Sequence, residues 1–467
     1  MKRPVIVFFI ATILFNLLYN MTLPLHFDEA YYWVWSKHPQ LSYFDHPPMI
    51  AWLIKLATLP GDDEWLIRLV PLGCAALTGM FIWRTAAELF DASIADRALL
   101  IFLLSPLAQI GFSLATPDAP LILGWAAALW CLQRALFGKR RQYYYLAGLA
   151  AGFALLSKYT AVLLLPGVLV FMLLSSYRRQ LATREVWLAI GVALLLFSPV
   201  LSWNYGHEWA SFQFQLNHGF ASAQTINPAR VFEYLGVQAV ALNPLFFCVL
   251  LFVLLRSWRE FLTDEKSAFL LGPCLTVLLF FAYTALFKRA EGNWAAPAYV
   301  TGIILIARWF DGCRHRNIYR AAIALGVVMI LLLKLPEAFG FLPAKLVMKR
   351  QVMGYDAMFQ SAGPYLAGTE QVLAADYKLA SLAWYYLPAN PPVQVLTPSR
   401  VSQYDYWRQD LTIKTGADAV FFGYAEQKAA LEQLFVEVSP LPPLSYSDRY
   451  IERSLQVFYC RGFKPGL

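Results

Sequence analysis

The chain has 467 residues, of which 59% are hydrophobic, 16% aromatic and only 15% charged, with a formal net charge of +8. A soluble globular chain carries about a quarter charged residues, so this composition excludes a soluble fold and points to a polytopic α-helical membrane protein. The positive excess lies largely in short loops between apolar runs, where it reads as a topology signal; no nucleic-acid partner is implied.

Met1-Lys2-Arg3 leads into an apolar run from Val5 to Leu18. No small-x-small cleavage site follows, so this is read as an uncleaved first span. About eleven segments of near-spanning length are predicted, with thirteen as the upper count: 4–24, 66–86, 98–115, 119–137, 143–157, 160–176, 186–203, 230–255, 267–286, 294–310 and 319–338. With these spans the basic residues sort to one side: Lys2, Arg3, Arg84, Arg97, Lys139 to Arg141, Arg178, Arg179, Arg184, Arg256, Arg259, Lys266, Arg308, Arg314, Arg316 and Arg320. The positive-inside rule makes that side cytoplasmic. The 25–65 loop, the Asp118 turn, the Lys158 turn, the 204–229 loop and the 287–294 stretch then face outward, and so does the C-terminal region.

The first outer loop holds two acidic clusters, Phe27-Asp28-Glu29-Ala30-Tyr31-Tyr32 and Tyr43-Phe44-Asp45-His46-Pro47-Pro48. Carboxylates beside a span are costly to desolvate. Tyr31, Tyr32, Trp33 and Trp35 are spaced as on a short helix lying in the interface, and a second interfacial helix is expected around Met49–Leu59 after Pro47-Pro48. The alternative is a hydrated loop with a membrane-belt of aromatics.

Asp118 opens the fourth span in Ala115-Thr116-Pro117-Asp118-Ala119-Pro120. There it either caps the helix N-terminus or serves as a second carboxylate that orients a substrate or joins a divalent-metal site. Lys158, in Leu156-Ser157-Lys158-Tyr159, either snorkels to the interface or neutralises a phosphate. Lys288 and Arg289 make another outer cationic spot, to which His46, Lys55 and Arg68 add. His207, Glu208 and His218 lack zincin spacing and read as ordinary loop residues. Six cysteines show no metal spacing and no disulfide framework. No cofactor is required by any motif, and the acids leave room for a divalent metal whose ligands the sequence does not identify. P-loop, dinucleotide-binding and G-x-S-x-G signatures are absent.

From about residue 340 the spanning runs stop. Short apolar or alternating stretches at Gln371–Ala375, Val393–Leu396, Ala419–Gly423 and Ser454–Tyr459 predict strands, and Leu379–Tyr386 and Ala425–Leu434 predict helices. Pro388, Pro391, Pro392, Pro440, Pro442 and Pro443 read as breakers. The expected organisation is a membrane domain over 1–339 and a small α/β domain over 340–467. Arg400, Tyr404 and Asp405 there either contact a glycan or pack in a surface helix or turn.

In order and spacing, Asp28-Glu29, Phe44-Asp45-His46-Pro47-Pro48, Asp118, Leu156-Ser157-Lys158 and Lys288 with Asn293-Trp294-Ala295-Ala296-Pro297-Ala298 resemble GT-C glycosyltransferases of the protein-O-mannosyltransferase type. The bacterial branch that includes lipid A aminoarabinose transferases is the nearest likeness. His46 stands where that family commonly has a lysine before Pro-Pro. The resemblance covers about residues 1–310.

It implies an inverting transfer of a sugar from a polyprenyl-phosphate carrier to an envelope glycolipid, glycan or protein, with the site and the C-terminal domain on the periplasmic side of the bacterial inner membrane. Asp28, Asp45, Asp118 and Glu29 would be the catalytic acids. Lys158, His46, Lys288, Arg289 and Lys55 would bind the lipid phosphate, and Tyr43, His218, Asn293 and Trp294 would contact substrate. Two rivals remain at this point: a transporter or binding protein for polyprenyl-linked substrates without chemistry, and an oligosaccharide ligase or polymerase. Against the transporter stand the missing internal repeat and polar residues gathered at one face instead of mid-span.

Overall fold

The computed structural model describes residues 1–217, 226–256, 263–312, 315–339, 343–344, 347–396, 400–407 and 413–464. In chain order its first helices are α1 (Arg3–Asn20), α2 (Phe27–Lys37), α3 (Met49–Ala57), α4 (Glu64–Leu89), α5 (Ala92–Leu103), α6 (Pro106–Gly111), α7 (Asp118–Leu136) and α8 (Gln142–Leu155). They continue with α9 (Leu164–Leu174), α10 (Arg184–Gly206), α11 (Ala210–Leu216), α12 (Ala229–Leu242), α13 (Pro244–Arg256), α14 (Glu265–Ala285), α15 (Ala296–Trp309) and α16 (Arg316–Lys334). The chain divides into two compact units. One comprises Met1–Asn20, Leu41–Leu53 and Arg68–Leu335; the other comprises Met21–Gln40, Ile54–Ile67 and Pro336–Leu467.

The first unit is helical. Among the described residues six helices are long and apolar enough to cross a membrane: α1, α4, α7, α10, α14 and α16. Two strongly bent pairs raise that number to eight if each is one span. The bends account for part of the difference from the predicted eleven. The predicted span 230–255 is broken into α12 and α13 at an angle of 117°. Asn243 takes φ +105° at the break, and Pro244 supplies no N–H to continue the helix. The Asn243 side chain accepts from Leu245 N–H at 3.0 Å and donates to the Ala322 carbonyl at 2.9 Å, so the corner is fastened to α16. The predicted span 98–115 is also divided, into α5 and α6. Ser105 caps α6 by accepting from Ala108 N–H, and Pro106 stands at its first position. The 14 residues of α8 reach about 21 Å, short of the roughly 30 Å hydrocarbon core.

Small residues set the spacing around α8. Gly148 and Gly152 form a small-xxx-small pair facing α10. A Cβ on Gly148 would lie 2.3 Å from the Ala189 carbonyl oxygen, and one on Gly152 would lie 2.8 Å from Leu196 Cβ. On α7, a Cβ on Gly124 would lie 2.9 Å from the Ala150 carbonyl and from Ala154. In a membrane such close backbone approach replaces the hydrophobic drive that packs soluble helices. It also holds the start of α7, with Asp118, against the end of α8, with Lys158.

The second unit contains α2 and a five-stranded sheet. Its further elements are α17 (Tyr355–Gln360), β1 (Gln371–Ala374), α18 (Tyr377–Tyr386), β2 (Val393–Val395), α19 (Gln403–Trp407), β3 (Ala419–Gly423), α20 (Lys428–Leu434), β4 (Phe435–Ser447) and β5 (Glu452–Phe463). The strand order is β2-β1-β3-β5-β4, parallel across the first three and antiparallel across the last. The four predicted strands are present as β1, β2, β3 and β5. The fifth, β4, runs through Pro440, Pro442 and Pro443, where the sequence pattern predicts breaks. It lies at the sheet edge, where a missing N–H is tolerated, and its register shifts between Leu441 and Leu444.

The aromatic residues of α2 correct a second expectation. Tyr31, Tyr32, Trp33 and Trp35 are buried in protein and do not form an interfacial belt. Tyr31 stacks with Tyr404 and accepts from Gln403 N–H at 2.6 Å; Trp33 meets Tyr385 edge-on and donates to Asp62 at 2.8 Å. The helical spacing was read correctly, but the face it presents is to α18. By contrast, α3 leaves Leu56 and, just beyond its end, Leu59 exposed, as an interfacial helix would.

The packing around α8 makes a testable distinction. Gly148→Ala should destabilise the detergent-solubilised protein by about 1–3 kcal/mol through overpacking against α10. Gly191→Ala, where an added Cβ meets nothing within 4 Å, should leave the thermal unfolding midpoint unchanged or raise it.

Candidate functional site

The first unit gathers a cation, a carboxylate and an amide at the end of α8. After Leu155 the chain leaves α8 and Lys158 adopts extended backbone, φ −157°, before the turn Tyr159–Leu163. The turn is fixed locally: Ser157 Oγ donates to the Phe153 carbonyl at 2.7 Å, and Lys158 N–H donates to the Ala154 carbonyl at 3.0 Å. This aims the lysine at α7. Lys158 Nζ lies 2.8 Å from Asp118 Oδ1, with side chains only 11% and 13% exposed. Asn293 Nδ2 donates to the other oxygen, Oδ2, at 2.7 Å.

These contacts speak against side-chain capping by Asp118 and snorkelling by Lys158. Asp118 is the first helical residue of α7, the preceding position is Pro117, and no side-chain cap bond forms there. The carboxylate is directed to Lys158 and Asn293. Lys158 does not snorkel to water. A buried ion pair with its remaining lone pairs satisfied is strongly coupled, because removing one partner strands the other in a low dielectric.

The second acidic cluster approaches the same turn. Met49 N–H, at the start of α3, donates to the Leu156 carbonyl at 3.0 Å. Tyr43 is fully buried, and its N–H donates to the His46 carbonyl at 3.3 Å. Asp45 is buried, and its backbone carbonyl accepts from Gln215 at 2.6 Å. Phe44 packs on Phe214. The Pro47-Pro48 step thus leads the bend of residues 43–46 into α3 beside the Lys158 turn.

Asn293 is held by a loop that α12 fastens. Arg230 donates to the Phe287 carbonyl, and Gln238 donates to the Gly292 carbonyl at 3.2 Å while accepting from Tyr299 at 2.6 Å. Lys288 on this loop is half-buried, and burial lowers its pKa, opposed by Glu291. Arg289 is exposed, and Trp294 packs on Phe281. Arg68, expected among the outer cations, is instead buried and donates to the Asn20 carbonyl at the end of α1 at 3.1 Å. His218 lies outside the described residues. Among the described residues no three His, Cys, Asp or Glu side chains come together as a metal set.

The second unit places the other predicted acids. His26 caps α2: its Nδ1 accepts from Asp28 N–H at 3.3 Å, while Glu29 Oε2 accepts from His26 N–H at 3.0 Å. This capping box uses Glu29, which is fully buried, to start the helix. Asp28 is only half-buried and lies 3.6 Å from His26 Nδ1. Burial raises the Asp28 pKa above the ordinary carboxylate range, and the charges of His26, Lys378 and Arg400 oppose that rise. Lys55 is exposed on α3. Tyr404 and Asp405 are structural: Tyr404 is bonded to Ser381, and Asp405 accepts from Ser402 N–H at 2.8 Å. Lys378 is the residue that sequence reasoning missed. It is about 350 positions from Asp28, and no local pattern links a surface lysine on α18 to that acid.

Comparison with known proteins supports the resemblance drawn from the residues. Residues 45–203 match the family described as dolichyl-phosphate-mannose-protein mannosyltransferase. The chain is 27% identical over 399 residues to the lipid A galacturonosyltransferase RgtD of Rhizobium johnstonii, covering 83% of this chain and 82% of that protein. It is 24% identical over 327 residues to the undecaprenyl phosphate-alpha-4-amino-4-deoxy-L-arabinose arabinosyl transferase of Yersinia enterocolitica, covering 67% of this chain and 56% of that one. Among solved structures, ArnT from Cupriavidus metallidurans bound to undecaprenyl phosphate superposes with a TM-score of 0.68 at 15% identity over 98% of both chains. The oligosaccharyltransferase AglB of Archaeoglobus fulgidus superposes with a TM-score of 0.51 at 11% identity, over 96% of this chain and 74% of that one. The chain has the ArnT-like, GT-C fold, and its resemblance to the aminoarabinose-transferase branch is borne out.

The Lys158–Asp118 pair predicts a specific stability pattern. Lys158→Met should lower stability by about 3 kcal/mol or more, by leaving Asp118 buried without its cation. Asp118→Asn in the Lys158→Met background should recover much of the loss. Thermal unfolding in detergent measures both.

Proposed function

We propose that this chain is an integral-membrane glycosyltransferase that moves a sugar from a polyprenyl-phosphate carrier to an envelope acceptor of the lipid A type, inverting the anomeric carbon. The observation that carries the reading is the buried Lys158–Asp118–Asn293 cluster at the edge of a GT-C membrane fold. The transporter alternative finds no support among the relatives, which are named as sugar transferases. The basic loops sorted to one side support a periplasmic reaction at the bacterial inner membrane.

In this mechanism the acceptor hydroxyl attacks the anomeric carbon, and the bond from that carbon to the phosphate oxygen breaks. The electron pair leaves with the phosphate, and the hydroxyl proton passes to Asp28. A phosphate monoester leaves readily, so the demand on the protein is for positive charge. Lys158 supplies it as a fixed ammonium that needs no reorganisation, with Lys288 and His46 adding to it. Asp118 and Asn293 hold Lys158 in place. Asp45, buried in the turn before α3, orients the sugar. Glu29 supports Asp28 by starting the helix that carries it. Asp28 is suited to a base: partial burial makes its carboxylate a better proton acceptor than one in water.

Asp28→Asn should retain folding and donor binding while transfer falls by about 100-fold or more; near-normal turnover of the purified variant would remove Asp28 as base. A base works only when ionised, so wild-type activity should fall as pH drops through the raised Asp28 pKa. The acid limb of the pH–rate profile should therefore lie above the roughly 3.9 of an ordinary aspartate. For the donor, Lys158→Ala should weaken binding of polyprenyl phosphate by about tenfold or more, and unchanged affinity, measured below the unfolding temperature of the variant, would exclude Lys158 from the phosphate site.

A further inference from the structure

Two exposed cations, Lys378 and Arg400, lie near one aromatic ring on the element that adjoins Asp28, and the mechanism above uses neither. Lys378 Nζ lies 4.5 Å from the centre of the Phe27 ring, the residue adjoining Asp28, and 5.9 Å from that of Tyr377. Arg400 Cζ lies 5.0 Å from the same Tyr377 ring. Tyr377 itself is buried and packs 4.8 Å from Tyr31, one turn along α2 from Asp28. Asp376 caps α18 by accepting from Lys378 and Leu379 N–H groups at 2.8 and 3.0 Å, which sets the helix start and the direction of the lysine. The Tyr377 ring is buried, while Lys378 and Arg400 are exposed residues.

We propose that Lys378 and Arg400 recognise an anionic substituent, a phosphate or a carboxylate, that the acceptor carries beside its reacting hydroxyl. The inference rests on the reading of Asp28 as the base that serves this acceptor. One half-buried carboxylate does not call for two cations and a histidine of its own. Asp28 already has His26 at 3.6 Å. A planar guanidinium and a compact ammonium, 5.0 and 5.9 Å from the centre of one ring, match an oxyanion with several acceptor atoms. An anion held there would orient the neighbouring hydroxyl and would discriminate against neutral glycolipids, because a hydrogen-bonding site rejects a ligand that leaves its donors unpaired.

Binding tests this without turnover. Full-length protein in nanodiscs would be titrated with phosphorylated lipid A, with the same lipid after enzymatic dephosphorylation, and with the dephosphorylated lipid extended by an acidic sugar. Wild type should bind at least one anionic form about tenfold or more tightly than the neutral one, the equivalent of one charge-assisted hydrogen bond. Which form is preferred tells phosphate from carboxylate. Lys378→Gln and Arg400→Gln should each erase most of that preference, and Lys378→Arg should keep it. Both side chains are exposed, so folding is not at risk. Equal binding of all three lipids by wild type, or a preference that survives both variants, would overturn the proposal. So would variants that alter kcat and the acid limb while leaving the affinity ratio intact, which would make the cations mere supports of Asp28 ionisation. If the anion preference holds but no sugar is transferred from a polyprenyl-phosphate donor, the anion site stands and the enzymatic reading falls.

Discussion

A lysine ammonium held against an aspartate and buried within the helical unit is the constraint around which the first unit is organised. Asp118 opens α7 and Lys158 lies in the turn after α8, and a charge buried there without its partner is costly. Their pairing requires α7 and α8 to approach closely, which Gly124 and Ala154 permit, and it requires α8 to end where it does, which the Ser157 turn ensures. Asn293 closes the set from a loop that Arg230 and Gln238 pin down. In the proposed mechanism a phosphate at this point would meet an ammonium already oriented and largely stripped of water, which is the condition under which electrostatic stabilisation of a leaving group is effective.

The second unit is built by a different physics. Its five strands and the aromatic face of α2 form a core in which Tyr31, Trp33 and Trp35 are buried. The first acidic cluster is therefore part of a helix that folds with the C-terminal sheet. Glu29 is spent on capping that helix, and Asp28, one residue earlier, remains half-buried among cations. Two adjacent carboxylates thus have different environments: Glu29 is fully buried in the cap, and Asp28 is partly exposed.

Much of this was legible in the sequence, and the failures have physical causes. Composition and hydropathy identify a helical membrane protein because lipid forces every backbone group into internal hydrogen bonds. The strands at 371, 393, 419 and 454 were readable from short apolar runs. The break at Asn243-Pro244 was not recognised, since apolarity continues across a bend that a left-handed asparagine makes. The strand through Pro440, Pro442 and Pro443 was missed because the edge position that tolerates proline is a tertiary fact. At the site, Asp118, Lys158 and Asn293 were each singled out, but only the structure distinguishes a capping aspartate from one that holds a lysine. Aromatic spacing along α2 announced a helix and not what covers it. Lys378 carried no signal, because its significance arises wholly from the fold.

Cleavage of a carrier phosphate bond and capture of the sugar by an acceptor are the two events the proposed reaction couples. Its most direct test is a mass balance with purified protein, a polyprenyl-phosphate-linked sugar and lipid A, followed by mass spectrometry of both lipids. One added sugar on lipid A for each free polyprenyl phosphate released, lost in Asp28→Asn, is the predicted result. An intact donor that merely crosses the bilayer, or a released sugar found only in water, would contradict it.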